Sequence, residues 1–120
     1  MKKIQEQIVL INKSKLNKIT NEYLYASSIN EVPRSPKTMY KLQRLGVRCG
    51  VPSLHLPYPN KKYHSLFIQL KRKEPEKGKL TDSQQTWINR LNKAGNLAVV
   101  AYGWEEAWQI IQDYLTQTGA

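Results

Sequence analysis

The chain has 120 residues, 40% of them hydrophobic and 23% charged, which is enough for one domain with its own core (1–120) and shows no apolar run near the roughly 20 residues of a membrane span. Nineteen Lys and Arg oppose nine Asp and Glu, a net charge of +10. Residues 1–73 hold 15 basic and 3 acidic side chains and residues 74–120 hold 4 and 6, so the positive field is concentrated in one part of the chain and points to a polyanionic partner.

Cys49 is the single cysteine, so no internal disulfide forms, and it reads as a small packing residue. The stretch Met1–Glu6 has neither the apolar segment nor the cleavage site of a signal peptide. A reducing, cytoplasmic setting is the expectation.

In chain order, Ile4, Ile8, Ile11, Leu16 and Ile19 recur near helical spacing and predict a helix over residues 3–19 with these side chains as its apolar stripe. Residues 20–33 read as irregular. Ser35-Pro36 is a helix start, a capping hydroxyl followed by proline at the first helical position, and Gly46 is a stop, which gives a short helix at 36–45. Residues 51–56 and 63–71 read as strands around a turn built on Pro57, Pro59 and Asn60-Lys61-Lys62. In the second strand Leu66, Ile68 and Leu70 alternate with Ser65, Phe67, Gln69 and Lys71, so Gln69 and Lys71 share the face opposite the apolar one.

Thr81-Asp82-Ser83-Gln84 matches a capping box and opens a helix to about Ala94, stopped by Gly95, with Trp87, Ile88 and Leu91 as its buried stripe. The nearly continuous apolar run 97–102 reads as a central strand. A last helix follows over 104–117, with Glu105 and Glu106 in its first turn and Trp104, Trp108, Ile111 and Leu115 on its core side. The order α-α-β-β-α-β-α predicts an α/β domain with a mixed β-sheet flanked by helices.

The blocks Lys41–Pro52, Tyr63–Arg72, Gly78-Lys79-Leu80 leading to Gln84 and Trp87, and Tyr102–Ala107 occur in order and with matching spacing. On these residues the chain resembles the stand-alone VRR-NUC domains (virus-type replication-repair nucleases) of the PD-(D/E)xK superfamily, across about residues 3–115. The resemblance implies a restriction-endonuclease-like fold and a site for metal-assisted phosphodiester hydrolysis, in which carboxylates hold Mg²⁺ or Mn²⁺ and a lysine on the same strand face holds the attacking water or a phosphate oxygen. Position by position, Glu6 falls at the glutamate of the first helix, Ser53 at an aspartate, Gln69 at a glutamate, Lys71 at the lysine, and Gln84 at a glutamine that opens the next helix.

The two departures, Ser53 and Gln69, coincide with the two main metal ligands. Unit charges about 4 Å apart interact by about 4 kcal/mol at a surface-like dielectric, so removing two anions costs divalent-cation affinity many powers of ten. No metal ligand set is therefore assigned, and Mg²⁺ or Mn²⁺ is expected only if a carboxylate has relocated, with Glu74 and Glu22 as candidates. Around this site, Lys37, Lys41 and Arg44 fall at i, i+4 and i+7, with Arg34 before and Arg48 after, while Lys61 and Lys62 lie at the hairpin turn and Lys71, Arg72 and Lys73 leave the strand. Phosphate contact is the expected role of these residues.

Three functions are open at this point. One is an inactive, homodimeric binder of branched or structured double-stranded DNA, such as a four-way (Holliday) junction. A second is an active structure-selective endonuclease. The third is a phage or mobile-element decoy that blocks a host nucleic-acid machine.

Overall fold

A computed structural model describes residues 1–28, 34–73 and 79–117 of the chain. Pro33, Gly78 and the candidate ligand Glu74 lie outside the described residues. The elements are α1 (Lys3–Ser14), α2 (Lys18–Tyr23), β1 (Tyr25–Ala26), α3 (Pro36–Arg44), β2 (Leu54–Leu56), β3 (Leu66–Lys71), α4 (Asp82–Lys93), β4 (Leu97–Tyr102) and α5 (Trp104–Thr116). Four strands form one sheet in the order β1-β2-β3-β4. The pairs β1/β2 and β2/β3 are antiparallel, and β3/β4 is parallel, joined through α4.

The predicted α/β architecture is present, with two refinements. The single helix expected over 3–19 is two helices. The Asn17 side chain accepts the N–H groups of Ile19 and Thr20, at 2.9 and 3.2 Å, and caps a new helix instead of continuing the old one. The segment after α2, read as irregular, contributes the two-residue edge strand β1, whose Tyr25 pairs with His55 and Ala26 with Leu54.

The rotation of α1 also differs from the expected stripe. Ile4, Ile8 and Leu16 are exposed, and the inward face is Glu6, Leu10 and Ser14. Only Ile11 and Ile19 of the predicted stripe pack against the core. Apolar spacing alone favours the isoleucine face. The tertiary structure favours the face that carries Glu6, for a reason given in the next subsection.

Other helix signals hold as read. Ser35 Oγ accepts the Thr38 N–H to start α3. Thr81 Oγ1 accepts the Gln84 N–H while Gln84 Oε1 accepts the Thr81 N–H, a reciprocal capping box at the head of α4. Tyr102 N–H donates to the Glu106 carboxylate at the head of α5.

The core lies between one face of the sheet and helices α1 and α5. Leu66, Ile68 and Leu70 of β3, Leu54 and Leu56 of β2, and Ala101 of β4 meet Leu10, Ala107, Ile111 and Tyr114 there. Trp104, Trp108 and Leu115 pack against this cluster, partly buried, as their helical spacing predicts. Tyr114 is buried, its hydroxyl donates to the Tyr58 carbonyl at 2.6 Å, and burial pushes its pKa up to about 12. The opposite face carries Ser53, His55, Phe67, Gln69 and Lys71, and α4 covers its β4 side.

If the Asn17 cap is what splits the first helix, Asn17→Ala lowers stability by about 1 kcal/mol, read as a shift of the urea midpoint at unchanged slope.

Candidate nucleic-acid interface and the remnant of a metal site

The register Leu54↔Ile68 brings Ser53, the residue before β2, opposite Gln69. Ser53 is buried, and its hydroxyl accepts the Leu70 N–H at 3.0 Å while lying 3.3 Å from the Ile68 carbonyl, to which it donates. The side chain thus continues the β2/β3 ladder where the backbone of β2 diverges. A carboxylate at this position has no proton to give the Ile68 carbonyl, so the hydroxyl suits the ladder and leaves little free for a cation. Gln69 is 2% exposed, and its amide nitrogen makes a long 3.4 Å contact with the Leu70 carbonyl. Lys71 lies two residues on, half-buried, with its carbonyl accepting the Gly103 N–H at 2.8 Å.

Glu6 is held elsewhere. It reaches from α1, on the core face, to the backbone beyond the end of β3. One carboxylate oxygen accepts the Lys73 N–H at 3.2 Å and the other the Trp104 N–H at 3.3 Å, and the side chain is 4% exposed. The Trp104 N–H is an orphan donor of the first turn of α5, so the carboxylate also sits at the positive end of that helix. These two bonds explain why α1 turns its Glu6 face inward.

Gly103 sits against this carboxylate at φ +91°, and a Cβ there would lie 3.3 Å from Glu6 Oε2 and 3.0 Å from Lys73 Cβ. Ser53, Gln69 and Lys71 share a sheet face, and the hydrogen bonds of Glu6 commit it to the backbone of Lys73 and Trp104.

The fit of a divalent cation follows from these bonds. Hard cations need several oxygen donors, usually with one or two carboxylates among them. Here one carboxylate is bound by two N–H groups, one hydroxyl is used in the sheet, and the remaining oxygen belongs to a neutral amide. Among the described residues, the side chains at these positions do not fit Mg²⁺ or Mn²⁺. Among the described residues, no three His, Cys, Asp or Glu side chains come together as a metal site. Glu22, the other relocation candidate in the described part, is exposed on α2.

Gln84 is buried, with its carbonyl oxygen used in the capping box of α4.

The basic residues divide into separate regions. Helix α3 buries none of its residues and presents Lys37, Lys41 and Arg44 to solvent, the last 5.9 Å from the Tyr40 ring. Arg34, just before it, lies against Met39 Sδ. Arg72 and Lys73 follow Lys71 off the end of β3, and Lys73 pairs with Glu105 at 3.5 Å across two exposed side chains.

Lys61 and Lys62 do not join this group. The Lys61 N–H donates to the Gln117 carbonyl and Asn60 to the Tyr114 carbonyl, which places the hairpin turn at the C-terminal end of α5. That end is about 20 Å, one six-residue strand, from Lys71. The turn residues fix this placement, and sequence proximity to β3 does not.

Arg48 packs elsewhere again, over the Trp87 ring at 5.3 Å, with Arg90 over the same ring at 5.4 Å. Of the predicted stripe of α4, Ile88 is buried as read, while Trp87 and Leu91 are only half-buried. Arg90 was not singled out from the sequence. The signal was present as Ser83, Thr86, Trp87 and Arg90 along one stripe of α4. Cys49 is exposed rather than packed, with Sγ 3.7 Å from Ser83 Oγ.

A second polar network runs across the same sheet face. Tyr25 Oη and His55 Nδ1 are 2.8 Å apart, His55 Nε2 and Ser65 Oγ 3.1 Å, and Ser65 Oγ donates to Asn96 Oδ1 at 2.7 Å. Because Ser65 spends its proton on Asn96, it accepts from Nε2–H, and Nδ1 accepts from Tyr25. The neutral imidazole is stacked on Phe67 at 3.9 Å, and burial lowers its pKa below the ordinary 6.5.

Mixed sheet, flanking helices and a polar β2/β3 face define a restriction-endonuclease-like α/β domain. No family model matches the chain, and no curated protein matches it. A solved structure described as a VRR_NUC domain protein is similar to it with a TM-score of 0.82 and 28% sequence identity, over 98% of this chain and 91% of that one. The chain folds as a VRR-NUC domain. Among the described residues, no helix is long and apolar enough to cross a membrane.

Two measurements test these contacts. Glu6→Ala strips acceptors from two backbone N–H groups and is expected to lower stability by about 2–3 kcal/mol in urea denaturation, with Glu6→Gln recovering part of it. His55 binds a proton less readily folded than unfolded, so its contribution is complete above about pH 6.5 and is lost as pH falls through the lowered folded value. Urea midpoints between pH 8 and 5 should fall with pH, and His55→Gln should flatten that dependence.

Proposed function

We propose that this VRR-NUC domain binds branched or structured double-stranded DNA and does not cut it. The observation that carries the reading is the commitment of the site's own groups. Both Glu6 oxygens are bound by backbone N–H groups, and the positions expected to be the main anionic ligands are a ladder-forming hydroxyl and a neutral amide. Among the described residues, metal-assisted phosphodiester hydrolysis has no ligand set to work with. Affinity for a polyanion needs no such set.

The net charge of +10 and the exposed Lys37, Lys41 and Arg44 of α3 support phosphate contact. Contacts of this kind give affinity and salt dependence with little sequence readout. A preference for branched structure therefore comes from shape, and the proposal includes a homodimer whose two-fold axis matches that of a four-way junction.

The test is a salt titration of binding to a labelled four-way junction and to a linear duplex of the same sequence, beside incubation of both with Mg²⁺ or Mn²⁺. A steep negative log–log slope, tighter junction binding and intact DNA are expected. Metal-dependent cleavage overturns the assignment as a non-cutting protein, and a slope near zero overturns the assignment as a nucleic-acid binder.

A further inference from the structure

On the reading that this chain binds nucleic acid, we propose that Arg48, Trp87 and Arg90 form a clamp for a backbone phosphate of the bound strand. The two arginines come from distant segments, one from the loop before β2 and the other from α4, and meet on one indole ring at 5.3 and 5.4 Å. Cation–π attraction holds a guanidinium in place without using its N–H donors. No ion pair to Arg48 or Arg90 is found among the described residues. Asp82, the acid on α4, is two turns before Arg90. Two ring-held forks therefore line one groove and keep their N–H donors for phosphate oxygens.

The site is concave and built. A groove of about 490 Å³ is lined by Arg48, Trp87 and Arg90 with Gln43, Ser83 and Thr86, so amide and hydroxyl groups accompany the cations. Gln43 places one wall of the groove on α3.

The loop that brings Arg48 to the ring is pinned by Gly50. Its φ is +91°, and a Cβ there would lie 2.6 Å from the carbonyl carbon and oxygen of Ser83, so the loop rests directly on the backbone of α4. No other residue allows both that conformation and that approach. Gly50 is a positioning residue for the clamp.

The experiment measures the affinity of the full chain for a labelled four-way junction between 50 and about 300 mM salt, with circular dichroism confirming that each variant is folded. Each lost phosphate contact lowers the log–log slope by about 0.7–0.9. Arg48→Ala and Arg90→Ala are each expected to show that decrease and to weaken binding about tenfold, the loss of one charge-assisted contact. Arg90→Lys keeps the slope but loses affinity, because it keeps the charge without the fork. Trp87→Phe stays near the parent, and Trp87→Ala falls to the level of the arginine variants.

If Arg48→Ala and Arg90→Ala behave as the parent while Lys41→Ala and Arg44→Ala lose slope, the clamp is wrong and the nucleic-acid reading stands. If the parent itself shows no salt-dependent binding, both fall. Polyglutamate competing as well as DNA at equal charge overturns the assignment to phosphate.

Discussion

The carboxylate of Glu6 joins three parts of the chain that are far apart in sequence: helix α1, the segment leaving β3 and the head of α5. Its two oxygens accept the N–H groups of Lys73 and Trp104, and almost none of it reaches solvent. The rotation of α1 follows from this, because the face that carries Glu6 must also carry Leu10 and Ser14 inward, leaving Ile4 and Ile8 outside. The close turn at Gly103 follows as well, since any Cβ there would press on the same carboxylate. A buried carboxylate is stable only when it is hydrogen-bonded, and here backbone donors supply what a cation or a lysine supplies elsewhere. Glu6 thus ties helix α1 to the backbone of Lys73 and Trp104.

The same substitution of structure for chemistry recurs on β2 and β3. Ser53 lends its hydroxyl to the strand ladder, and Gln69 keeps the shape of a glutamate without its charge. Lys37, Lys41 and Arg44 are exposed along α3.

Much of the fold was legible from local signals. The Ser35-Pro36 start, the Thr81/Gln84 capping box and the alternation of Leu66, Ile68 and Leu70 each depend on residues within a few positions of one another, and each appears as read. The predicted continuous helix 3–19 failed at Asn17, where a capping side chain outcompeted an apolar period. The site was legible as a set of positions but not as a set of roles. Gln84 matches a family position yet is consumed by its own helix cap, and Lys61 and Lys62 are near β3 in sequence yet lie at the far end of α5.

The sequence by itself determined the element order, the sheet faces and the excess of positive charge, because these depend on residue type and short-range spacing. The tertiary structure alone decided where Glu6 spends its charge, which face of α1 is buried, and that Arg48 and Arg90 share the Trp87 ring. Those are contacts between segments separated by tens of residues, set by which backbone donors and ring faces the packed sheet leaves available, and no local pattern encodes them.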